Sequence, residues 1–300
     1  MSIQATPPKL RTLVVGHNGQ LAQALRTTIP MDVAAKFCGR NQLDIRSARK
    51  IDDLLQKQPF DLLINASGYT AVDAAESQIS AAFDLNHRAV KHLAMNCEKR
   101  RIKLIHISSD YLFDGKQTRP YNVSDIPKPI NVYGHSKLAG EQALFEYHPS
   151  NSTVVRSSWL YSPFGNNFVK TMLKLMMQQQ QLNVIDDQFG SPTSAIELAH
   201  FIWQLAAQET LSPIYHWSDS GITSWFEFAR QIELLGRTQG LITHPVTIVP
   251  VHSQKYPAAA QRPHFSALDC QLSHAIRAAK PWQENLSDVI QTLKQQAKEF

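Results

Sequence analysis

The chain has 300 residues, 43% hydrophobic and 18% charged, a composition typical of a globular protein rather than a disordered or fibrous one. The formal net charge of +5 does not indicate a nucleic-acid surface, because the densest basic run, Glu98–Lys103, falls at a predicted helix end, where cations are favourable. No stretch approaches the roughly 18 apolar residues of a membrane-spanning helix. The first nine residues resemble a short unpaired tail without secretory features. We therefore expect a cytoplasmic protein that binds neither nucleic acid nor membrane.

Predicted strands and helices alternate through the first half of the chain. The apolar, β-branched run Leu10–Gly16 predicts a strand, and Leu21 and Leu25, four residues apart, indicate a helix after it. Further strands are predicted at Asp61–Ser67, Lys103–Ser109 and Ser152–Ser158, and helices at Ala81–Arg100, Asn131–Tyr147, Phe168–Gln181 and Ala195–Gln208. Alternation of this kind implies parallel pairing with helices on both faces.

The fold class expected is therefore α/β, with a doubly wound parallel sheet and a smaller C-terminal lobe. We assign residues 1–160 to a dinucleotide-binding domain, to which residues 182–210 return. Residues 161–181 and 211–300, where the alternation is less regular, are assigned to a substrate-binding lobe.

A glycine-containing turn separates the first strand from the first helix. In this segment, Gly16–Ala22, the glycines Gly16 and Gly19 permit a tight turn that brings backbone N–H groups and the helix N-terminus against a pyrophosphate. Ala22 is small enough for the helix to pack closely on the sheet. Its position after a strand predicts dinucleotide binding rather than a plain turn, with Gly16, Asn18, Gly19, Gln20 and Leu21 at the cofactor.

The end of the second strand indicates which dinucleotide is bound. An NAD-specific protein usually has an acidic residue there for the ribose 2′-hydroxyl, whereas this chain has Gly39, Arg40 and Asn41. Arg40 can pair with a 2′-phosphate, and Asp44 and Ile45 would flank the adenine. We expect NADPH as the cofactor, with NADH as the alternative.

Tyr133 and Lys137 are four residues apart in a predicted helix, so they share one helix face. A neighbouring ammonium, together with an oxidised nicotinamide, would lower the pKa of the phenol from about 10 and make it a usable acid and base. Lys137 can also bind the nicotinamide ribose. Ser109 ends a predicted strand, where it would face the ligand crevice and donate to a substrate carbonyl.

With these residues in place, the sequence resembles the extended short-chain dehydrogenase/reductases, which have Rossmann-like folds, and within them the reductases of dTDP-linked 4-keto-6-deoxy sugars. The segments that carry the likeness are VVGHNGQLA, INASGYTAVDAAE, ISSDYLFDG, INVYGHSKLAGE, VVRSSWLYSPFGNNFVKTML, VIDDQFGSPTSA, YHWSDSGITSWFEFA and QRPHFSALD. The resemblance implies that a C4 keto group is reduced by NAD(P)H to give a sugar for surface polysaccharide. Tyr133 would donate the proton, Lys137 would support it, and Ser109 would polarise the carbonyl.

The resemblance also implies roles for residues outside this catalytic group. Along the cofactor it places Asn65, Ala66, Ser67 and Tyr69, with Asn86 supporting the lysine through water. At the sugar it places Thr70, Val72, Asp110, Trp159 and Arg262, beside Ser109 and Tyr133. The chain departs from the family pattern in having Ser109 for threonine, Ala22 for glycine and Gln261 for the first of two arginines.

Other readings remain open from the sequence. The chain could be a different nucleotide-sugar reductase or epimerase of the same superfamily, or a non-catalytic NADP-binding regulatory subunit resembling the methionine adenosyltransferase β subunit. None of the twelve histidines shows metal-ligand spacing, so we predict no metal ligands. The resemblance allows Mg2+ at a subunit contact, without assigning residues to it, and a homodimer.

Overall fold

The computed structural model describes residues 9–298. Its strands and helices have the following bounds. Strands are β1 (Leu10–Val15), β2 (Val33–Cys38), β3 (Leu62–Asn65), β4 (Lys103–Ser109), β5 (Ser152–Ser157), β6 (Leu160–Tyr161), β7 (Gln181–Ile185), β8 (Phe189–Gly190), β9 (Thr193–Ser194), β10 (Ile214–Trp217), β11 (Thr223–Ser224) and β12 (Thr247–Val251). Helices are α1 (Gln20–Thr27), α2 (Ala48–Lys57), α3 (Val72–Ala75), α4 (Ile79–Phe83), α5 (Ala89–Arg100), α6 (Val132–Tyr147), α7 (Phe168–Met176), α8 (Ala195–Ala206), α9 (Trp225–Thr238), α10 (Gln271–His274) and α11 (Trp282–Lys298).

Six parallel strands form the central sheet, in the order β10-β5-β4-β3-β1-β2. Its inner strands are apolar because both faces are covered, as in β3, where all four residues are buried. One core packs the sheet against α1 and α8, and a second packs the opposite face against α2, α5 and α6. Since parallel strands share a direction, the ends of β1, β3, β4 and β5 meet at one edge.

The C-terminal lobe has a core of its own around α7, α9 and α11. Phe228, Ile232 and Leu286 are fully buried in this core. Three short ladders frame it, which pair β7 with β12, β8 with β11 and β6 with β9. These short ladders join strands outside the six-stranded sheet to one another.

The α/β class and the predicted strands are confirmed, with two differences in the lobe. The helix predicted at Phe168–Gln181 ends at Met176, because Gln181 begins β7. Ile214–Trp217, assigned to the lobe, is instead the edge strand of the central sheet, paired with β5. Of residues 182–210, α8 returns to the sheet, whereas β7 pairs with β12.

Two further predictions concern the ends of the chain and membranes. The predicted tail lies outside the described residues, apart from Lys9. Between residues 9 and 298, no helix combines the length and apolarity needed to cross a bilayer.

Candidate active site

A cavity of about 1230 Å³ opens at the carboxyl edge of the sheet. Its wall runs from the Gly16 turn, past the ends of β3, β4 and β5, to α9 of the C-terminal lobe. A cavity of this size at the switch of strand order is the usual place for a ligand in an open α/β sheet. Most of the predicted site residues lie along it.

The turn at Gly16 leaves open space in front of α1. Gly16 has φ of 112°, and a Cβ there would lie 2.7 Å from the carbonyl oxygen of Ala66, so both the conformation and the contact require glycine. Gly19 is the N-cap of α1, whose first N–H groups therefore face the cavity. Gly16, Asn18, Gly19, Gln20 and Leu21 all line the cavity, as predicted. This turn fits a pyrophosphate.

The predicted adenosine end carries two guanidinium groups. Arg40 is exposed at the rim of the cavity, and Arg46 lies beside it. Arg46 forms an ion pair with Asp44, 2.6 Å between Nη2 and Oδ2, and the hydrogen bonds from Arg46 lower the pKa of Asp44 to about 2. Ile45 is buried and also lines the cavity. Sequence reasoning missed Arg46, although it follows Asp44 by two residues.

Helix α6 presents Tyr133 and Lys137 to the cavity. Asn131 caps the helix, because its Oδ1 accepts from the backbone N–H of Gly134 at 2.7 Å. Lys137 is buried, and its Nζ donates to the carbonyl oxygen of Ile107 at 2.6 Å. The lysine is therefore fixed between the helix and the end of β4.

Burial shifts the pKa values of Tyr133 and Lys137 in opposite directions. It raises the pKa of Tyr133 to about 12, against an opposing hydrogen bond with Ser109, whereas the lowering predicted from the sequence includes an oxidised nicotinamide. Burial also lowers the pKa of Lys137 to about 8, opposed by the charge of Glu141. Tyr133 is therefore a protonated phenol near neutral pH, and burial by itself makes it a weaker acid than a free phenol.

Ser109 and Asp110 lie buried where β4 ends. The Ser109 hydroxyl donates to Asp110 Oδ1 at 3.1 Å and accepts from the N–H of Tyr111 at 3.2 Å. Burial raises the pKa of Asp110 to about 6, with hydrogen bonds from Ser266 and Ser109 acting against it. Both side chains line the cavity, so a hydroxyl and a weakly acidic carboxyl stand beside Tyr133.

The segment after β3 forms another wall, built by Ala66, Ser67, Tyr69, Thr70 and Val72. Three predicted site residues, in contrast, do not line the cavity. Asn65 turns into the sheet, because its amide donates to His106 Nδ1 at 3.0 Å and its Oδ1 accepts from Ser67. Asn86 clamps the backbone of Tyr69 and donates to Ser136. Arg262 pairs with Asp73, 2.6 Å from Nη2 to Oδ2. All three are positioned to support the wall.

Sequence reasoning missed a second group of cavity residues, contributed by β5 and the C-terminal lobe: Ser157, Gly165, Asn166, Asn167 and Trp225. The loop that holds three of them is tied to the first residue of α1. Asn167 Nδ2 and the Ser162 hydroxyl both donate to Gln20 Oε1, at 3.0 and 2.9 Å. No sequence pattern indicates this link, since the partners are far apart in the chain.

Trp159 lines the cavity as predicted. Its ring stacks on that of Trp225, with centroids 3.5 Å apart and planes at 8°. Trp225, the first residue of α9, therefore also belongs to the site.

This fold and this site define an oxidoreductase of the extended short-chain dehydrogenase/reductase class. The glycine turn fits a dinucleotide pyrophosphate, and a phenol, an ammonium and a serine hydroxyl lie along the same cavity. No cluster of three or more His, Cys, Asp and Glu side chains within the described part of the chain could hold a metal ion, so no residue is assigned to magnesium.

Comparison with known proteins identifies the family within this class. A family model described as the RmlD substrate binding domain matches residues 10–295, and the chain belongs to this family. A dTDP-4-dehydrorhamnose reductase of Sinorhizobium fredii is 35% identical, covering 97% of this chain and all of the relative. The solved structure of dTDP-4-dehydrorhamnose reductase from Bacillus anthracis in complex with NADP has a TM-score of 0.88 and 32% identity, covering 95% of this chain and 99% of its own. The ortholog from Clostridium acetobutylicum has the same TM-score, 30% identity and the same coverage.

Proposed function

We propose that this protein reduces the C4 keto group of dTDP-4-dehydro-L-rhamnose with NADPH, giving dTDP-L-rhamnose for surface polysaccharide. Family membership and the names of the relatives support this substrate. The single observation that carries the proposal is the placement of Ser109, Tyr133 and Lys137 along the cavity that the Gly16 turn opens. A plain dinucleotide-binding subunit has no need for that acid.

The dinucleotide supplies a hydride to the carbonyl carbon when it is bound. The protein's own groups handle the oxygen, where negative charge develops during reduction. The hydroxyl of Ser109 donates a hydrogen bond to this oxygen, and Tyr133, whose phenol is protonated near neutral pH, delivers the proton. Lys137, anchored on the Ile107 carbonyl, holds a positive charge beside the cofactor ribose.

The remaining assignments follow the two ends of the cavity. Thr70, Val72, Asp110 and Trp159 would contact the sugar, while the turn residues, Arg40 and Ile45 would hold the cofactor. Asn65, Asn86 and Arg262 act behind this wall. NADPH over NADH, a homodimer, the cytoplasmic location and the division into two lobes stay predictions.

The decisive experiment follows NADPH oxidation with dTDP-4-dehydro-L-rhamnose in the wild type and in Tyr133→Phe. We expect kcat to fall by about 10²–10⁴, the usual contribution of a positioned general acid, with an unchanged Kd for NADPH. Tyr147→Phe is the matched control, since Tyr147 ends the same helix but does not line the cavity. Absence of wild-type turnover would refute the substrate assignment, and full activity of Tyr133→Phe would refute the proton donor.

A further inference from the structure

Trp159, which lies two residues after the end of β5, has an unusual backbone conformation. Its φ of 46° lies in the left-handed region, which bulky side chains rarely adopt. Among the non-glycine residues that the structure describes, only Arg101 shares a positive φ, and Arg101 follows α5, where that conformation is common. Trp159 terminates no helix, so its surroundings must hold it there.

Two contacts from the C-terminal lobe confine the indole of Trp159. The ring of Trp225 stacks on it, as described above. Gly190 approaches so closely that a Cβ at this position would lie 2.8–2.9 Å from three atoms of the indole. We call Gly190 and Trp225 the indole slot.

The two residues of the indole slot are fixed to each other. β8, which ends with Gly190, pairs antiparallel with β11 in the register Thr223↔Gly190. Trp225 follows β11 directly and begins α9, whose N-cap Ser224 accepts from the backbone N–H of Glu227 at 3.2 Å. The ladder and the helix start therefore present the slot as one unit.

The indole slot stands at the catalytic end of the cavity. Ser109 and Ser157 are paired in the register of β4 and β5, and Trp159 follows Ser157 by two residues. The predicted adenosine end, with Arg40, lies at the end of β2, on the other side of the sheet. A change in the indole slot would therefore affect binding of the sugar rather than binding of the adenosine.

Resting on the function proposed above, we propose that Trp225 is a positioning residue for the sugar substrate. Its ring holds the flat face of Trp159, which contacts the sugar, in an orientation that the backbone alone would not keep. Without the stack, Trp159 can relax from its left-handed conformation, and the apolar wall beside Ser109 is lost. We expect cofactor binding and the proton donor to be unaffected, because the Gly16 turn before α1 and Tyr133 on α6 belong to other elements.

The experiment measures KM for the dTDP-sugar, kcat and the Kd for NADPH in Trp225→Leu and Trp225→Phe. Leucine is apolar but not flat, whereas phenylalanine keeps a flat face. We expect the leucine variant to raise KM for the sugar by about three- to tenfold, the range that an aromatic pair contributes. The phenylalanine variant should recover most of this loss, and the Kd for NADPH should stay within about twofold in both.

Leu234→Ala serves as the control, because Leu234 is exposed on the same helix and lies off the cavity. The proposal is overturned if Trp225→Leu raises KM no more than this control does. It is also overturned if the Kd for NADPH rises by the same factor, or if phenylalanine is no better than leucine. If these outcomes occur while the wild-type protein turns over the sugar, the positioning role of Trp225 is refuted and the proposed function stands. If the wild-type protein does not turn over the sugar, both are refuted.

Discussion

At the scale of single residues, the adenosine end of the cavity offers a test of cofactor choice. Asp44 is already paired with Arg46, whereas Arg40 is exposed at the rim. A 2′-phosphate would therefore find Arg40 available, and a charge-assisted hydrogen bond contributes about 1.5–3 kcal/mol. We expect Arg40→Glu to weaken NADPH binding by roughly ten- to a hundredfold relative to NADH, measured as the ratio of the two Kd values by fluorescence.

The control for this charge reversal is Arg49→Glu. Arg49 is exposed on α2 and lies off the cavity, so its reversal tests the general effect of net charge. An unchanged NADPH-to-NADH ratio in Arg40→Glu, or an equal change in both variants, would contradict the assignment of Arg40.

The position of a side chain could be predicted where one local pattern fixes it. Helical spacing places Tyr133 and Lys137 on one face, and the strand end places Ser109 beside them, so all three could be located at the cavity from the sequence. The orientation of Asn65 could not be predicted, because a strand-end residue can point to either face and its contact with His106 is decided by packing. The pKa of Tyr133 could not be predicted either, since it depends on burial.

At the scale of elements, the helix that carries the acid depends on two glycines. A Cβ at Gly134 would lie 2.2 Å from the carbonyl oxygen of Tyr111, and one at Gly140 would lie 2.1 Å from that of Asn86. In both cases the obstacle is backbone, which cannot rotate away. The close packing of α6 thus requires glycine at both positions.

We expect Gly140→Ala to lower the free energy of unfolding, because the clash outweighs the helix propensity that alanine adds. Overpacking costs roughly 1–3 kcal/mol, and contact with backbone falls at the upper end, whereas the propensity gain is about 1 kcal/mol. Denaturant unfolding of the wild type and the variant gives the difference.

Gly236→Ala is the matched substitution, in the interior of α9. There the Cβ would meet the ends of the Ile242 and Leu173 side chains, which can move. Equal or greater destabilisation by Gly236→Ala would show that the backbone contact at Gly140 does not determine how much unfolding free energy Gly140→Ala loses.

The same contact explains an element that the sequence could not predict. The helix predicted at Ala81–Arg100 begins at Ile79 and contains a π-helical turn at Asp84–Arg88. This wider turn includes Asn86, whose side chain clamps Tyr69 and whose carbonyl oxygen meets Gly140. Periodicity indicates a helix but not an inserted residue, because π-turns depend on tertiary contacts.

At the scale of the whole molecule, the fold class was predictable and the lobe boundary was not. Alternating strands and helices specify a parallel sheet through β5. β10 joins that sheet only after α7, α8 and four strands, β6 to β9. The segment Ile214–Trp217 has only four residues, too few for its hydrophobic pattern to indicate which sheet it extends. Their place is set by pairing with β5, a contact between distant parts of the chain.

The segment after β10 also ties the sheet to the lobe through a buried carboxyl. Asp219 Oδ2 accepts from the Tyr161 hydroxyl and from the backbone N–H of Ser194, both at 3.0 Å. Burial raises the pKa of Asp219 to about 7, against opposing hydrogen bonds. Because the folded value lies above the unfolded one, ionisation opposes folding. This penalty is absent below pH 4, grows as the pH rises and is complete above pH 7.

Asp219→Asn keeps an oxygen for both donors and removes the charge. Compared with the wild type, we expect the variant to gain about 4 kcal/mol of unfolding free energy between pH 4 and pH 7, about 1.4 kcal/mol for each of three pKa units. Denaturant unfolding of both proteins across this range measures the difference, in which other titrating groups cancel. Asp288→Asn, on the exposed face of α11, is the control for the removal of a carboxylate. A difference that stays constant with pH would mean that Asp219 titrates in the folded protein as it does in the unfolded chain.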